Sequence, residues 1–130
     1  MKFTFVTLFP NLIEPYFYDS ILKRAIEANF ISYEFYNPRD FTTNKHKKVD
    51  DQMVGGGAGM LLLCQPLFDC LNEIKSKDSD AYIIFPLAAA KPFRQNDAKR
   101  LAKKKNIVFV SGRYEGIDER VIEKYANEVF

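Results

Sequence analysis

The 130-residue chain has no tryptophan, a single histidine and only two cysteines. One histidine, His46, is too little for an imidazole metal site or a Ser-His-Asp triad, so no metal is expected and that style of hydrolysis is set aside. Cys64 and Cys70 have no C-x-x-C spacing, which argues against a disulfide or zinc ribbon and for two small buried hydrophobes. No apolar run approaches the ~20 residues that cross a bilayer. The opening MKFTFVTLFP lacks a long apolar core and a small-residue cleavage pattern, so it reads as a first strand rather than a secretion signal. The expectation is a cytoplasmic protein with no membrane partner.

Glycine is scarce as well, and all six glycines fall in two loops: Gly55, Gly56, Gly57 and Gly59 in VGGGAGM, Gly112 and Gly116 in SGRYEGIDER. An ordered glycine costs backbone entropy, so such concentration marks places where backbone passes close to something or takes positive φ. Neither loop fits the familiar nucleotide motifs. A P-loop needs Lys and then Ser or Thr after its last glycine, whereas Gly59 precedes Met60, Leu61 and Leu62. A dinucleotide fingerprint directly follows a strand, and the 55–59 loop follows a long polar stretch. A mere flexible hinge is the bland alternative for VGGGAGM, and four glycines in five positions are expensive for a hinge alone.

What is present is ordinary for a globular domain: 47% hydrophobic residues and 28% charged ones, in a length that suits one domain and not two. The net charge of +2 predicts no polyanion by itself. Its distribution says more. Lys45, His46, Lys47 and Lys48 share one loop, open between phosphate contact and plain solvation. Lys99, Arg100, Lys103, Lys104 and Lys105 crowd a helix end, where they either offset the macrodipole or meet RNA. Asp50 and Asp51 lie between the first cluster and the glycines, as a solvated turn or as carboxylates able to accept from the Watson–Crick edge of an unstacked guanine.

Residues 2–8 alternate as a strand that ends at Pro10, and a helix follows Asp19 or Ser20 with Ile21, Leu22, Ala25 and Ile26 at helical spacing, ending near Asn29. Residues 31–36 alternate again until Pro38. Residues 39–59 keep no period and form a long polar loop, a length usually functional or disordered. A helix starting at Pro66 buries Leu67, Cys70, Leu71 and Ile74. Apolar runs at 81–86 and 107–110 flank a helix capped by Asn96 and reaching about Lys104, and Asp118 caps a last helix that turns Val121, Ile122 and Tyr125 inward. The apolar ending Glu128, Val129, Phe130 reads as the start of a strand, so the chain is expected to be a piece of a longer protein. The pattern is α/β, with a mainly parallel sheet and helices on both faces.

In such sheets ligands bind at the carboxyl ends of the strands, from which both the segment at Pro86 and the one at Ser111 depart. Arg113, Tyr114 and Glu115 place a cation, an aromatic face and an anion in succession there.

The chain resembles the bacterial tRNA (guanine-N1)-methyltransferases, SPOUT-class enzymes that methylate the guanine just 3′ of the anticodon, position 37. The stretches that carry the resemblance are FVTLFP, NPRDFT (37–42), KKVDDQMVGGGAGM (47–60) followed by Gln65 and Pro66, and SGRYEGIDERVIE (111–123). It covers essentially the whole chain. It implies a trefoil-knotted α/β domain, an exception to the rule against threading. It implies S-adenosylmethionine as methyl donor and S-adenosylhomocysteine as product, held by Phe85, Pro86, Leu87 and Ala88, by Gly112, Tyr114, Glu115 and Gly116, and by a third loop further on. It also implies a homodimer with the site at the subunit interface, and a tRNA side that includes Arg39, His46, Asp50, Gly55, Gly56, Gly57 and Gly59.

Leu87-Ala88 stands where the family commonly has Ser-Pro, which leaves that loop its backbone and no hydroxyl. By the same resemblance residues 1–130 are the N-terminal cofactor-binding domain. The third cofactor loop, the aspartate general base and the C-terminal tRNA-binding domain align beyond residue 130, so no catalytic residue is assigned and the isolated chain is expected to be weak or inactive. A non-catalytic RNA-binding or dimerising fragment is the alternative. A flavodoxin-like nucleotide binder is a third reading, against which SGRYEGIDER argues.

Overall fold

The computed structural model describes residues 1–42, 50–52, 60–62, 64–112 and 116–130. In chain order its elements are β1 (Lys2–Val6), α1 (Pro10–Ile13), α2 (Ser20–Glu27), β2 (Ser32–Tyr36), β3 (Asp50–Gln52), β4 (Met60–Leu62), α3 (Cys64–Lys77), β5 (Tyr82–Phe85), α4 (Gln95–Leu101), β6 (Asn106–Val110), β7 (Gly116–Ile117), α5 (Glu119–Tyr125) and β8 (Glu128–Val129). Single 3₁₀ turns occupy Glu14–Phe17 and Pro38–Phe41.

Five strands form the main sheet in the order β2-β1-β6-β5-β8, and every pairing in it is parallel. Alternation of side chains sorts the strands' residues onto two faces. Val6, Ile83, Phe85, Val108 and Val110 point to one face, where they meet Leu67, Cys70, Leu71 and Ile74 of α3 and Val121, Ile122 and Tyr125 of α5. Ile84 and Ile107 point to the other, where Leu101 of α4 and Phe130 cover them. Each fully buried Ile, Val, Leu or Phe contributes about 1.5–3 kcal/mol of transfer free energy, so the α3–α5 face holds most of the core. Farther along the second face, Phe5 stacks between Phe35 and Phe109 at centroid distances of 5.5 and 5.9 Å, with Phe17 against Tyr33 at 4.3 Å.

Helix boundaries follow local chemistry. The Asp19 carboxylate accepts from the Ser20 amide at 2.7 Å at the start of α2, and Asn29, with φ of 60°, ends it in the left-handed region. The apolar spacing of α2 is as expected, yet none of its residues is buried, and Ile21 is 75% exposed. Helix α3 starts two residues ahead of Pro66 and buries the expected stripe. Helix α4 corrects the sequence reading. Asn96 lies inside it, the Asp97 carboxylate accepts from the Arg94 amide at 2.9 Å, and the helix stops at Leu101, leaving Lys103, Lys104 and Lys105 beyond its end. The long polar loop is also corrected: it contains a 3₁₀ turn and β3, and β3, β4 and β7 form a second, three-stranded sheet. Among the described residues no helix is long and apolar enough to cross a membrane.

Candidate functional site

Strands β5 and β6 run parallel with Tyr82 beside Ile107, Ile83 beside Val108 and Ile84 beside Phe109. One step further sets Phe85 level with Val110. The segments beginning at Pro86 and Ser111 therefore leave the same carboxyl edge from neighbouring strands, about 4.8 Å apart at their roots. That edge is the ligand-binding edge of open α/β sheets.

Phe85 is fully buried, and its carbonyl accepts from the Phe130 amide at 3.1 Å, so it anchors the loop rather than lining it. Pro86 and Ala88 are exposed, and Leu87 is half-buried against the main core. The Leu87 amide donates to the Phe130 carbonyl, and the Ala90 amide donates to the Leu87 carbonyl at 3.1 Å, closing a tight turn. Gly112 is exposed, and a Cβ added there would come within 3.0 Å of Ile117 Cγ1. Gly116 has φ of +136°, which L side chains rarely adopt. The two glycines thus have separate reasons, one for close packing and one for backbone conformation.

The small sheet brings together the strands that follow the two glycine loops. Leu61 and Leu62 pair in parallel with Gly116 and Ile117, so the strand that follows the 55–59 loop lies against the strand that follows Arg113, Tyr114 and Glu115. On the other side of β4, Asp50 pairs with Leu62 in antiparallel register. Arg39 lies in the 3₁₀ turn after β2, half-buried, with its amide donating to the Asn37 side chain at 3.0 Å. Strand β2 stands three positions from β5 in an all-parallel sheet, so Arg39 and Leu87 depart from the same edge, roughly 15 Å apart by strand spacing. His46, Gly55, Gly56, Gly57, Gly59, Tyr114 and Glu115 lie outside the described residues.

Charges around this edge are largely committed. Asp118 caps α5 through the Arg120 amide at 3.0 Å and takes the Arg120 guanidinium in a two-point contact at 3.0 and 2.7 Å. That contact holds the Asp118 carboxyl below the usual carboxylate range. Burial raises the Cys64 thiol, with Asp118 adding to the effect. Half of the GIDER motif therefore starts a helix rather than facing a ligand.

Sequence reasoning missed Glu128. Its carboxylate receives both terminal nitrogens of Arg100 at 3.0 and 2.6 Å, Lys91 Nζ at 2.8 Å and the Tyr82 hydroxyl at 3.0 Å. Arg100 foremost, joined by Lys91 and Tyr82, draws the Glu128 carboxyl down to about 2. Lys91 belongs to the segment after β5, so this cluster borders the site. The only sequence sign was an acidic residue in an otherwise apolar ending. Arg100, read as a macrodipole or RNA-facing cation, is bound to Glu128 and to Asp97.

A family model described as tRNA (Guanine-1)-methyltransferase TrmD matches residues 1–130. A tRNA (guanine-N(1)-)-methyltransferase of Sulfurimonas denitrificans is 65% identical over 130 residues, covering all of this chain and 56% of its own length. One from a Sulfurovum species is 66% identical, covering all of this chain and 57% of its own. The crystal structure of a tRNA (m1G37) methyltransferase from Aquifex aeolicus matches with a TM-score of 0.88 at 28% identity, over 98% of this chain and 58% of that one. The chain thus spans somewhat more than half the length of the curated relatives it matches. With that family matching from the first residue to the last, and the fold agreeing with a solved relative, the chain belongs to the tRNA (guanine-1)-methyltransferase family.

Proposed function

We propose that this chain is the cofactor-binding part of an enzyme that transfers a methyl group from S-adenosylmethionine to N1 of the guanine 3′ of the anticodon, position 37, in tRNA. The observation that carries this reading is the register of β5 and β6, which roots the 85–88 and 112–116 segments side by side on one sheet edge. The residues fit such a ligand: Pro86, Ala88 and Gly112 are exposed there, and Gly116 takes a φ that carries the chain past without a side chain, while Leu87 and Ala88 leave that loop only its backbone for polar contact.

When bound, the sulfonium supplies an electrophilic methyl group. The chain's own part is positioning. Backbone groups of Leu87, Ala88, Gly112 and Gly116, with Tyr114 and Glu115, hold the adenosine and methionine parts, while Arg39, His46, Asp50 and the glycines at 55, 56, 57 and 59 face the tRNA. The parallel tie between Leu61 and Gly116 supports a link between the two sides. Well-oriented reactants gain up to about 7–11 kcal/mol of barrier reduction from positioning alone. A general base for the N1 proton adds ~10² to 10⁴-fold in rate, and the carboxylate assigned to it aligns beyond residue 130. A trefoil knot around this edge, a homodimer that completes the site and a cytoplasmic location belong to the same proposal.

Calorimetric titration with S-adenosylmethionine and with S-adenosylhomocysteine tests it. Saturable binding of both, lost on crowding Gly112 with a methyl group, is the expected result. Binding of neither, with anticodon-arm RNA still bound, overturns the cofactor reading in favour of a non-catalytic RNA-binding or dimerising fragment.

A further inference from the structure

The segment between β5 and α4 is held from one side, by the last strand. Pro86 has no N–H, and the next amide, that of Leu87, donates to the Phe130 carbonyl. Lys91 pairs with Glu128 at 2.8 Å and lies 4.8 Å over the Phe130 ring. Phe93 meets Phe130 edge to face at 5.0 Å. The far end is reached through a second relay, in which Glu128 binds Arg100, Arg100 binds Asp97 at 3.1 Å, and Asp97 accepts from the Arg94 amide at 2.9 Å.

Glu128 is the common node. Its side chain is only 10% exposed although its partners Lys91 and Arg100 are 57% and 46% exposed, so a shielded carboxylate is reached by two cations from the solvent side. Both of its oxygens are engaged: Oε1 by Lys91 and Arg100, Oε2 by Arg100 and Tyr82. The forked guanidinium contact fixes the orientation of the carboxylate as well as its place. The strand carrying it is itself fixed, since the Asn127 amide donates to the Ile83 carbonyl at 2.9 Å and the Asn127 side chain accepts from the Ile83 amide at 2.8 Å.

We infer that Glu128 is a positioning residue, which through Lys91 and Arg100 holds the 86–94 segment in the one conformation that presents the Leu87–Ala88 backbone at the ligand edge. The inference rests on the cofactor reading above for what the segment is presented to, and on the contacts alone for the fact that it is held. A loop without a hydroxyl of its own at Leu87 and Ala88 binds by backbone placement, and placement is what a clamp supplies.

The test is Glu128→Gln, which keeps the shape and removes the charge, read by two measurements. Amide hydrogen exchange of the chain is expected to quicken tenfold or more at Leu87 and Ala90, the amides that donate hydrogen bonds within residues 87–93, while α3 and α5 keep their protection. Unchanged exchange at Leu87 and Ala90, or an equal rise in α3 and α5, overturns the clamp in favour of no role or a merely global one. Titration with S-adenosylhomocysteine is expected to show at least fivefold weaker binding in Glu128→Gln, and Lys91→Met is expected to reproduce part of that loss with little further effect in the double variant. Binding equal to the wild type overturns the positioning role. A wild-type chain that binds none sinks the cofactor reading and the positioning role with it, and the exchange result then decides only whether the segment is clamped.

Discussion

Leu61 lies in parallel register beside Gly116, with Leu62 beside Ile117. The pairing joins the strands that follow the two glycine loops, β4 and β7, which are separated in the sequence by two helices and two strands, α3, β5, α4 and β6. Any movement of the strand after one loop is passed by backbone hydrogen bonds to the strand after the other.

Gly116→Ala tests whether the positive φ there is required. An L side chain forced to φ of +136° costs about 1–3 kcal/mol although the space around it is open. Urea unfolding is expected to show that loss with an unchanged m-value. Gly112→Ala is expected to act differently: its methyl meets Ile117, itself only 7% exposed, so both stability and S-adenosylhomocysteine binding fall. Equal stability of Gly116→Ala and wild type would show that the backbone relaxes to an ordinary conformation.

The Glu128 cluster gives stability a pH dependence of fixed sign. Hydrogen bonds from Arg100, and then from Lys91 and Tyr82, hold the folded carboxyl at about 2, below its ordinary value of 4.5. A depressed carboxyl contributes fully above about pH 4.5 and loses that contribution as pH falls toward 2. At pH 7 Glu128→Gln is expected to lower stability by about 1–2 kcal/mol, the lower range for a charged contact because its cationic partners are partly in solvent. The gap between variant and wild type, measured as urea midpoints, should close as pH drops through that window. Asp78 and Asp118, also held low but outside the cluster, titrate in both proteins and cancel in the difference, whereas Asp97 shares Arg100 with Glu128 and belongs to the same cluster.

Thiol labelling separates the two cysteines. Cys70 is fully buried, and desolvation pushes its thiol up to about 12, leaving almost no thiolate at pH 8. Cys64 is half-buried at the start of α3. With Ellman's reagent the native chain is expected to react at Cys64 first, and at Cys70 only at the rate of unfolding. Fast modification of both would mean that α3 leaves the sheet readily.

Periodic elements were legible because their residues repeat a face. Leu67, Cys70, Leu71 and Ile74 repeat at helical spacing, and the runs in β5 and β6 are apolar on both faces because the sheet is covered on both. Short strands were not legible. Two or three residues of β3, β4 or β7 show no period, and they are strands only because a distant segment pairs with them. The cap of α4 was misplaced because Asn96 has the preferred chemistry, while the bond that forms is made by Asp97 to the amide three residues earlier. Of the candidate region, the shared edge was readable, since parallel strands on either side of one helix must end together, and so was the backbone demand at Gly112 and Gly116. Glu128 was not, because its partners are 28 and 37 residues away and only the folded sheet brings them to it.

Of the two basic clusters open to RNA in the sequence, Lys45, His46, Lys47 and Lys48 lie outside the described residues, so the comparison is between the other cluster and Arg39, which the resemblance sets on the tRNA side. Arg39 follows β2 on the same edge as the 86–94 segment, whereas Lys103 and Lys104 follow α4 at the opposite, amino-terminal side that leads into β6. Lys104 already lies 4.4 Å over the Tyr82 ring. If the tRNA lies along the carboxyl edge, Arg39→Ala should weaken binding of an anticodon-arm hairpin several-fold and reduce the dependence of log K on log salt by about 0.7–0.9, the loss of one phosphate contact. Lys103→Ala should change neither quantity. Fluorescence anisotropy over a salt series distinguishes them. A larger effect at Lys103 than at Arg39 would move the RNA to the other end of the sheet, away from the glycine loops.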